Sequence, residues 1–319
     1  MTLRRFSTAL FAVCALVLTG AAPHAQTPAT APAQTPALTM AGYPAPGQPS
    51  KVTVLGTGAE PKKALRYNVP ATFKGRLEMV TSMNMSMNVM GQAMEMPVPA
   101  IKMGVDLAAT SVAPNGDITY SVAFTSMTME GDASSPIAMA LQSATAGIKD
   151  LKGTTTMSNR GVAKAMTLTG GDPATTAMLT QMSGSLENLT AAFPEEAVGV
   201  GAKWEVRQAI VANGQTQFQK SVYEVAAIDG VAVSLKVTTE TSAPPQPISN
   251  PMAAAAGGEM TLDKMTGAGA GTMTIRLDSL TPTSSIEQTT STAMTMNIQG
   301  QQMAITSDGK IKITVSPVK

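Results

Sequence analysis

Met83-Asn84-Met85-Ser86-Met87-Asn88-Val89 alternates apolar and polar residues without a break. Successive strand residues point to opposite faces, so Met83, Met85, Met87 and Val89 share one face and Asn84, Ser86 and Asn88 the other. The same period of two recurs at Ile118–Val122, Val231–Val237, Met273–Leu277 and Ile311–Val315. Asn115-Gly116, Asn213-Gly214, Asp229-Gly230 and Asp308-Gly309 lie between or beside these runs. Such dipeptides tolerate the positive φ of a two-residue hairpin turn, so all four are expected to reverse the chain. Gly91, Gly161 and Gly300 mark three further reversals. Antiparallel hairpins are therefore the expected framework.

Two segments read instead as helices. Ile137, Leu141, Ala144, Ile148 and Leu151 are spaced 4, 3, 4, 3, with Ser135-Pro136 as the start and Gly153 as the stop. Leu179, Met182, Leu186, Leu189 and Phe193 are spaced 3, 4, 3, 4, after Asp172-Pro173 and before Pro194. Each has one apolar stripe that needs a surface to cover. The expected fold class is thus α+β, mostly antiparallel β: a curved sheet or half-barrel with two amphipathic helices packed on one face. Ala243 to Gly258, rich in Pro and Ala, reads as a long loop.

Outside this body the chain has two other regions. Residues 1–25 read as a signal peptide: Arg4 and Arg5, an apolar run, then Ala25 as the cleavage residue. Residues 26–50 carry Pro28, Pro32, Pro36, Pro44, Pro46 and Pro49 and no charge, which reads as an extended linker. Residues 51–319 then form a single β-rich domain. The expected location is periplasmic or secreted, with no transmembrane segment after signal cleavage.

Composition closes several chemistries. The only Cys is Cys14 and the only His is His24, both inside the signal segment. Disulfide staples, Cys/His zinc sites and His-dependent triads are excluded for the remainder. Lys+Arg is 22 against Asp+Glu 21, which argues against nucleic acid as a partner. Ser316-Pro317-Val318-Lys319 matches a Ser-x-x-Lys string but lacks the helix that would aim both groups. Glu195-Glu196 are loop neighbours that diverge into solvent. No enzyme, cofactor or metal site is expected. Lys62, Lys63, Arg66, Lys74 and Arg76, with Glu60 and Glu78, read as a solvated strand edge. Gly199-x-Gly201 and Gly267-x-Gly269-x-Gly271 lead into strands, so they read as bends or bulges rather than phosphate loops.

Phe193-Pro194-Glu195-Glu196-Ala197-Val198-Gly199-Val200-Gly201-Ala202-Lys203-Trp204 resembles a motif, Pro-x-x-x-Val-x-Val-Gly-x-x-Trp, of a bacterial family of secreted proteins and lipoproteins of unknown function. In that family the motif leads into a strand. The resemblance runs over most of residues 64–317 and implies a secreted β-rich body without an assigned activity. A looser likeness, in architecture alone, is to periplasmic half-barrel carriers of lipids and lipoproteins.

The chain has 24 methionines, and three readings compete for them. Flexible, polarizable Met lines adaptable apolar pockets. An apolar ligand, a lipid or acyl chain, would then sit between sheet and helices against Met83, Met85, Met87, Ile137, Leu141, Ile148, Leu179, Met182 and Leu186. Alternatively Met fills a solid core, and the chain is a structural or partner-interaction protein of the cell envelope. Thirdly, thioethers select Cu(I). Met83, Met85, Met87, Met94 and Met96 are dense enough for that. However, same-face neighbours on one strand stand roughly 6.5–7 Å apart, so the sulfurs converge only if a hairpin partner brings others opposite. Finally, Met85–Met94 and Met294–Met303 form an internal repeat, M-S-M-N-V-M-G-Q-A-M against M-T-M-N-I-Q-G-Q-Q-M.

Overall fold

The computed structural model describes residues 38–89, 91–130, 152–170, 190–212, 215–248, 258–298 and 301–318. Period-two sequence becomes strand throughout these residues. The strands are β1 (Lys51–Gly56), β2 (Lys74–Val89), β3 (Gln92–Val112), β4 (Ile118–Glu130), β5 (Lys152–Met157), β6 (Ala163–Thr169), β7 (Lys203–Ala212) and β8 (Gln215–Asp229). After them come β9 (Ala232–Ala243), β10 (Gln246–Ile248), β11 (Gly258–Arg276), β12 (Thr283–Ile298) and β13 (Gln301–Val318). They pair in one antiparallel sheet in the order β1-β7-β8-β9-β11-β12-β13-β2-β3-β4-β5-β6, with β10 added beside β11.

The α+β class with two packed helices is corrected by this architecture. The described residues contain no helix; they form an all-β, open sheet. Most of both expected helices, including Ile137, Leu141, Ile148, Leu179, Met182 and Leu186, lies outside the described residues. Where the described residues reach those segments, the backbone is not helical. Gly153, the expected stop of the first helix, sits in β5 opposite Val122; the following Thr154, Thr155 and Thr156 are β-branched and favour a strand. Phe193, the expected last turn of the second, lies in an irregular segment, fully buried between the Tyr67 and Trp204 rings. It gains its burial from distant aromatic partners rather than from a helical stripe.

Turn chemistry behaves as expected at two sites. Gly116 (φ 83°) turns β3 into β4 and Gly230 (φ 55°) turns β8 into β9. Gly91 (φ 84°) and Gly161 (φ 80°) reverse β2 into β3 and β5 into β6. Asp308-Gly309 does not turn. Both residues are mid-strand in β13, opposite Ser86 and Met85. The expected loop after Ala243 contains β10, which pairs with β11 and buries Gln246. The Gln246 side chain accepts the Thr216 N–H at 2.8 Å and donates to the Thr216 carbonyl at 2.9 Å, locking β8 to this segment.

Edge strands β1 and β6 do not pair with each other. Even so, Val52 of β1 and Met166 of β6 pack on the same hydrophobic core. The sheet therefore curls around one inner face. Two irregular stretches span the gap between its edges at one end. Tyr67 N–H donates to Asn159 O at 2.7 Å and Phe193 N–H to Arg160 O at 2.7 Å, both at the β5–β6 turn. Lys63 and Val198 pair reciprocally, and Gly201 N–H reaches Val225 O of β8 at 2.9 Å. Thus residues 63–69 and 190–202 join the two sides of the sheet.

Within residues 38–50, Tyr43 lies against the outer face. Tyr43 meets Phe218 edge-on at 5.3 Å, and the Arg207 guanidinium lies 5.3 Å from the Tyr43 ring.

Candidate functional site

The inner face changes character along the strands. At the closed end Leu77, Met79, Met103, Val105, Trp204 and Leu235 are sealed in the core. Four rings run through it: Tyr67 to Phe193 at 5.2 Å, Phe193 to Trp204 at 6.1 Å and Trp204 to Tyr223 at 5.6 Å. Burial raises both phenols. Tyr223 is pushed up to about 12, and Tyr67 is raised further, although its hydrogen bond to the Ala191 backbone works against the shift. Two arginines fasten the irregular segment outside these rings. Arg66 donates to Pro194 O and Glu195 O, while Arg160 donates to Phe193 O and pairs with the Glu195 carboxylate. Burial, then the charge of Arg160, lower the Arg66 pKa.

The expected basic strand edge therefore dissolves into separate roles. Arg66 clamps this segment, Arg76 pairs with Asp106, Lys62 with Glu60, and Lys63 donates to Gly230 O.

Beyond the core comes a belt of small and polar inner-facing residues. Ser221, Thr239 and Thr241 are buried, and Gln288 donates to Thr241 Oγ1 at 3.3 Å. Gly267, Gly269 and Gly271 of β11 face inward here, with Ala268 and Ala270 outward. A Cβ on Gly271 would stand 2.1 Å from Ser285 O, and one on Gly269 would stand 2.6 Å from Thr239 Oγ1. Glycine lets adjacent strands close in and the sheet bend, as it does at barrel corners. The register passes Gly267, Gly269 and Gly271 without a shift on either side, so the expected bulge is absent and close approach of the neighbouring strands is what these glycines permit.

Past the belt the inner face is apolar again and carries methionine. Met83, Met85 and Met87 are half-buried there, next to Ile311, Gly309 and Ser307 of β13 on one side. On the other side stand Val98, Met96 and Met94 of β3. Three of the nine residues expected to line an apolar site are thus placed together; the other six lie outside the described residues.

A cavity of about 850 Å³ lies over the middle of β11, β12, β13, β2 and the start of β3. Its lining is mixed: Asn84, Ser86, Asp308 and Lys310 share it with Met85, Ala268 and Gly309. The polar side chains alternate along their strands with Met85, Thr290 and Gly309, which also border the cavity, and project from the outer face. Hydroxyls and charges thus share this groove with apolar surface. No cluster of His, Cys, Asp or Glu able to hold a metal ion occurs among the described residues.

Comparison with known proteins adds little to this geometry. Residues 174–281 match a family described as "Family of unknown function (DUF6263)". That span contains Pro194–Trp204 and strands β7 to β11. The search of curated proteins returned no match. Among solved structures, a multiply substituted Rh. blastica porin is similar at 10% identity, covering 77% of this chain and 100% of that one, with a TM-score of 0.22. A structure titled "Asymmetric conductivity of engineered proteins" is similar at 7% identity, covering 76% of this chain and 100% of that one, with a TM-score of 0.21. Scores this low carry no argument about fold or function.

Proposed function

We propose that the chain is an exported, non-enzymatic protein of the cell envelope that holds an apolar ligand, a lipid or acyl chain, against the inner face of its curled sheet. The observation that supports this reading is a gradient along β2 and β13. Leu77, Met79 and Val315 are sealed, whereas Met83, Met85, Met87, Ile311 and Ile313 continue the same apolar face only half-buried. An apolar face of this kind gains about 25 cal/mol for each Å² that a ligand covers. Methionine suits a ligand of variable shape, because its unbranched side chain adapts. The N-terminal signal-like segment supports the location.

Displacement of a fluorescent fatty-acid analogue tests it. The full chain should bind the analogue saturably. Replacing Met83, Met85 and Met87 together by Gln keeps side-chain length and removes apolarity. A loss of about 100 Å² of apolar contact corresponds to about 2.5 kcal/mol, roughly sixtyfold in affinity. Unchanged affinity in that variant overturns the site, and no saturable binding overturns the function.

A further inference from the structure

The internal repeat is also a repeat of register. At the tip of the β2–β3 hairpin Met87 stands opposite Met94, and Val89 opposite Gln92. At the tip of the β12–β13 hairpin Met296 stands opposite Met303, and Ile298 opposite Gln301. Each pair has a third methionine two residues back on the same strand and therefore on the same face: Met85 in the first hairpin, Met294 in the second. The two hairpins are neighbours, because β13 pairs with β2, and all six methionines face inward.

Directly opposed side chains start about 4.5–5.5 Å apart at Cβ, and diagonal ones about 7–8 Å apart, within reach of a long side chain. Methionine carries its sulfur on an unbranched chain with three rotatable bonds. Each hairpin thus supplies the opposed partner that a single alternating strand lacks. Thioethers are soft and uncharged, so they suit a soft monovalent ion over Zn(II), Mg(II) or Ca(II). Met94 is 37% exposed, which leaves the first triad open to solvent; Met296 is 7% exposed, which makes the second more enclosed.

We propose that each hairpin tip binds one Cu(I) ion through a methionine triad, Met85, Met87 and Met94 in one and Met294, Met296 and Met303 in the other. This goes beyond the apolar-ligand reading and does not depend on it.

Anaerobic titration of the full chain with Cu(I) against the chromophoric chelator bicinchoninate tests the proposal. The full chain should withhold two equivalents from the chelator. The double variants M87L/M94L and M296L/M303L should each withhold one, and the fourfold variant none. Leucine preserves volume and apolarity, so the circular dichroism spectrum should be retained, and M296L/M303L, which leaves Met83, Met85 and Met87 in place, should still bind the fatty-acid analogue as the full chain does. A failed copper site is thereby separated from a failed apolar site. Met83→Leu, outside both triads, should still withhold two. No competition by the full chain, or leucine variants that withhold as much Cu(I) as it does, overturns the proposal. If only one of the two double variants loses an equivalent, the proposal is overturned for the hairpin whose variant does not.

Discussion

The Trp204 indole donates its Nε1–H to the Ala192 carbonyl oxygen at 2.8 Å, and both residues are buried. One partner sits on β7, near one edge of the sheet. The other lies in the irregular segment that bonds to the β5–β6 turn near the opposite edge. This hydrogen bond therefore ties the two sides of the curl together at the level of the core.

Replacing Trp204 by Phe keeps a ring but leaves the Ala192 carbonyl unpaired. A buried orphan acceptor costs about 1–3 kcal/mol, and the lost ring volume adds to it. Trp204→Ala should cost about 3–5 kcal/mol. Urea unfolding followed by circular dichroism should show a lower midpoint for both, with Ala the lower. Equal midpoints for the wild type and Trp204→Phe would contradict the tie.

Alkaline pH should unfold the core through its phenols. Burial holds Tyr67 and Tyr223 above the ordinary value of 10.0. The unfolded chain therefore gives up those protons first, so their stability contribution is complete below about pH 10 and is lost as pH rises toward about 12. Tyrosinate absorbance at 295 nm should show a late phase that coincides with loss of β-sheet dichroism. A late phase completed while the sheet persists would show the two phenols to be accessible.

Glycine on the inner face of β11 should be irreplaceable where the strands close in. Gly271→Ala places a Cβ 2.1 Å from the Ser285 backbone oxygen, whereas Gly309→Ala meets the Thr290 hydroxyl at 2.9 Å and Met85 Cγ at 4.0 Å. A hydroxyl can rotate and a strand cannot. Gly271→Ala should lose about 1–3 kcal/mol by overpacking, and Gly309→Ala distinctly less. Thermal midpoints of the two variants compare them directly.

Acid should weaken the outer face. Arg76 holds Asp106 below its ordinary value, Lys164 and Asn115 do the same for Asp117, Lys203 and Lys236 for Glu224, and Lys312 and Lys310 for Glu287. A depressed folded pKa contributes stability above the unfolded value and loses it as pH falls through the folded one. The thermal midpoint should therefore fall below about pH 4, and raising salt should shrink that fall because the pairs are exposed. A midpoint flat down to about pH 3 would remove these pairs from the account.

Much of the hairpin framework was legible because its signals are local. Asn115-Gly116 and Asp229-Gly230 carry their turn preference in their own backbones. Asp308-Gly309 carries the same preference, yet β12 and β2 pair along both sides of it and hold it extended. Only the partners decide that, and they are distant in sequence. The role of Phe193 was hidden for the same reason. Its spacing from Leu189 fits a helix, while its burial depends on Tyr67 and Trp204. At the candidate site the methionine face of β2 could be read from alternation alone. What stands opposite Met87 could not, because register across a hairpin depends on the length of the turn.

A lipid held on the inner face should be visible in the native mass spectrum of the full chain purified without detergent. The expected spectrum contains a population heavier than the polypeptide by the mass of one lipid or fatty acid. That population should be released by organic solvent and should shrink when Met83, Met85 and Met87 are replaced by Gln. A spectrum showing only the bare polypeptide, both before and after incubation with a lipid extract, would contradict it.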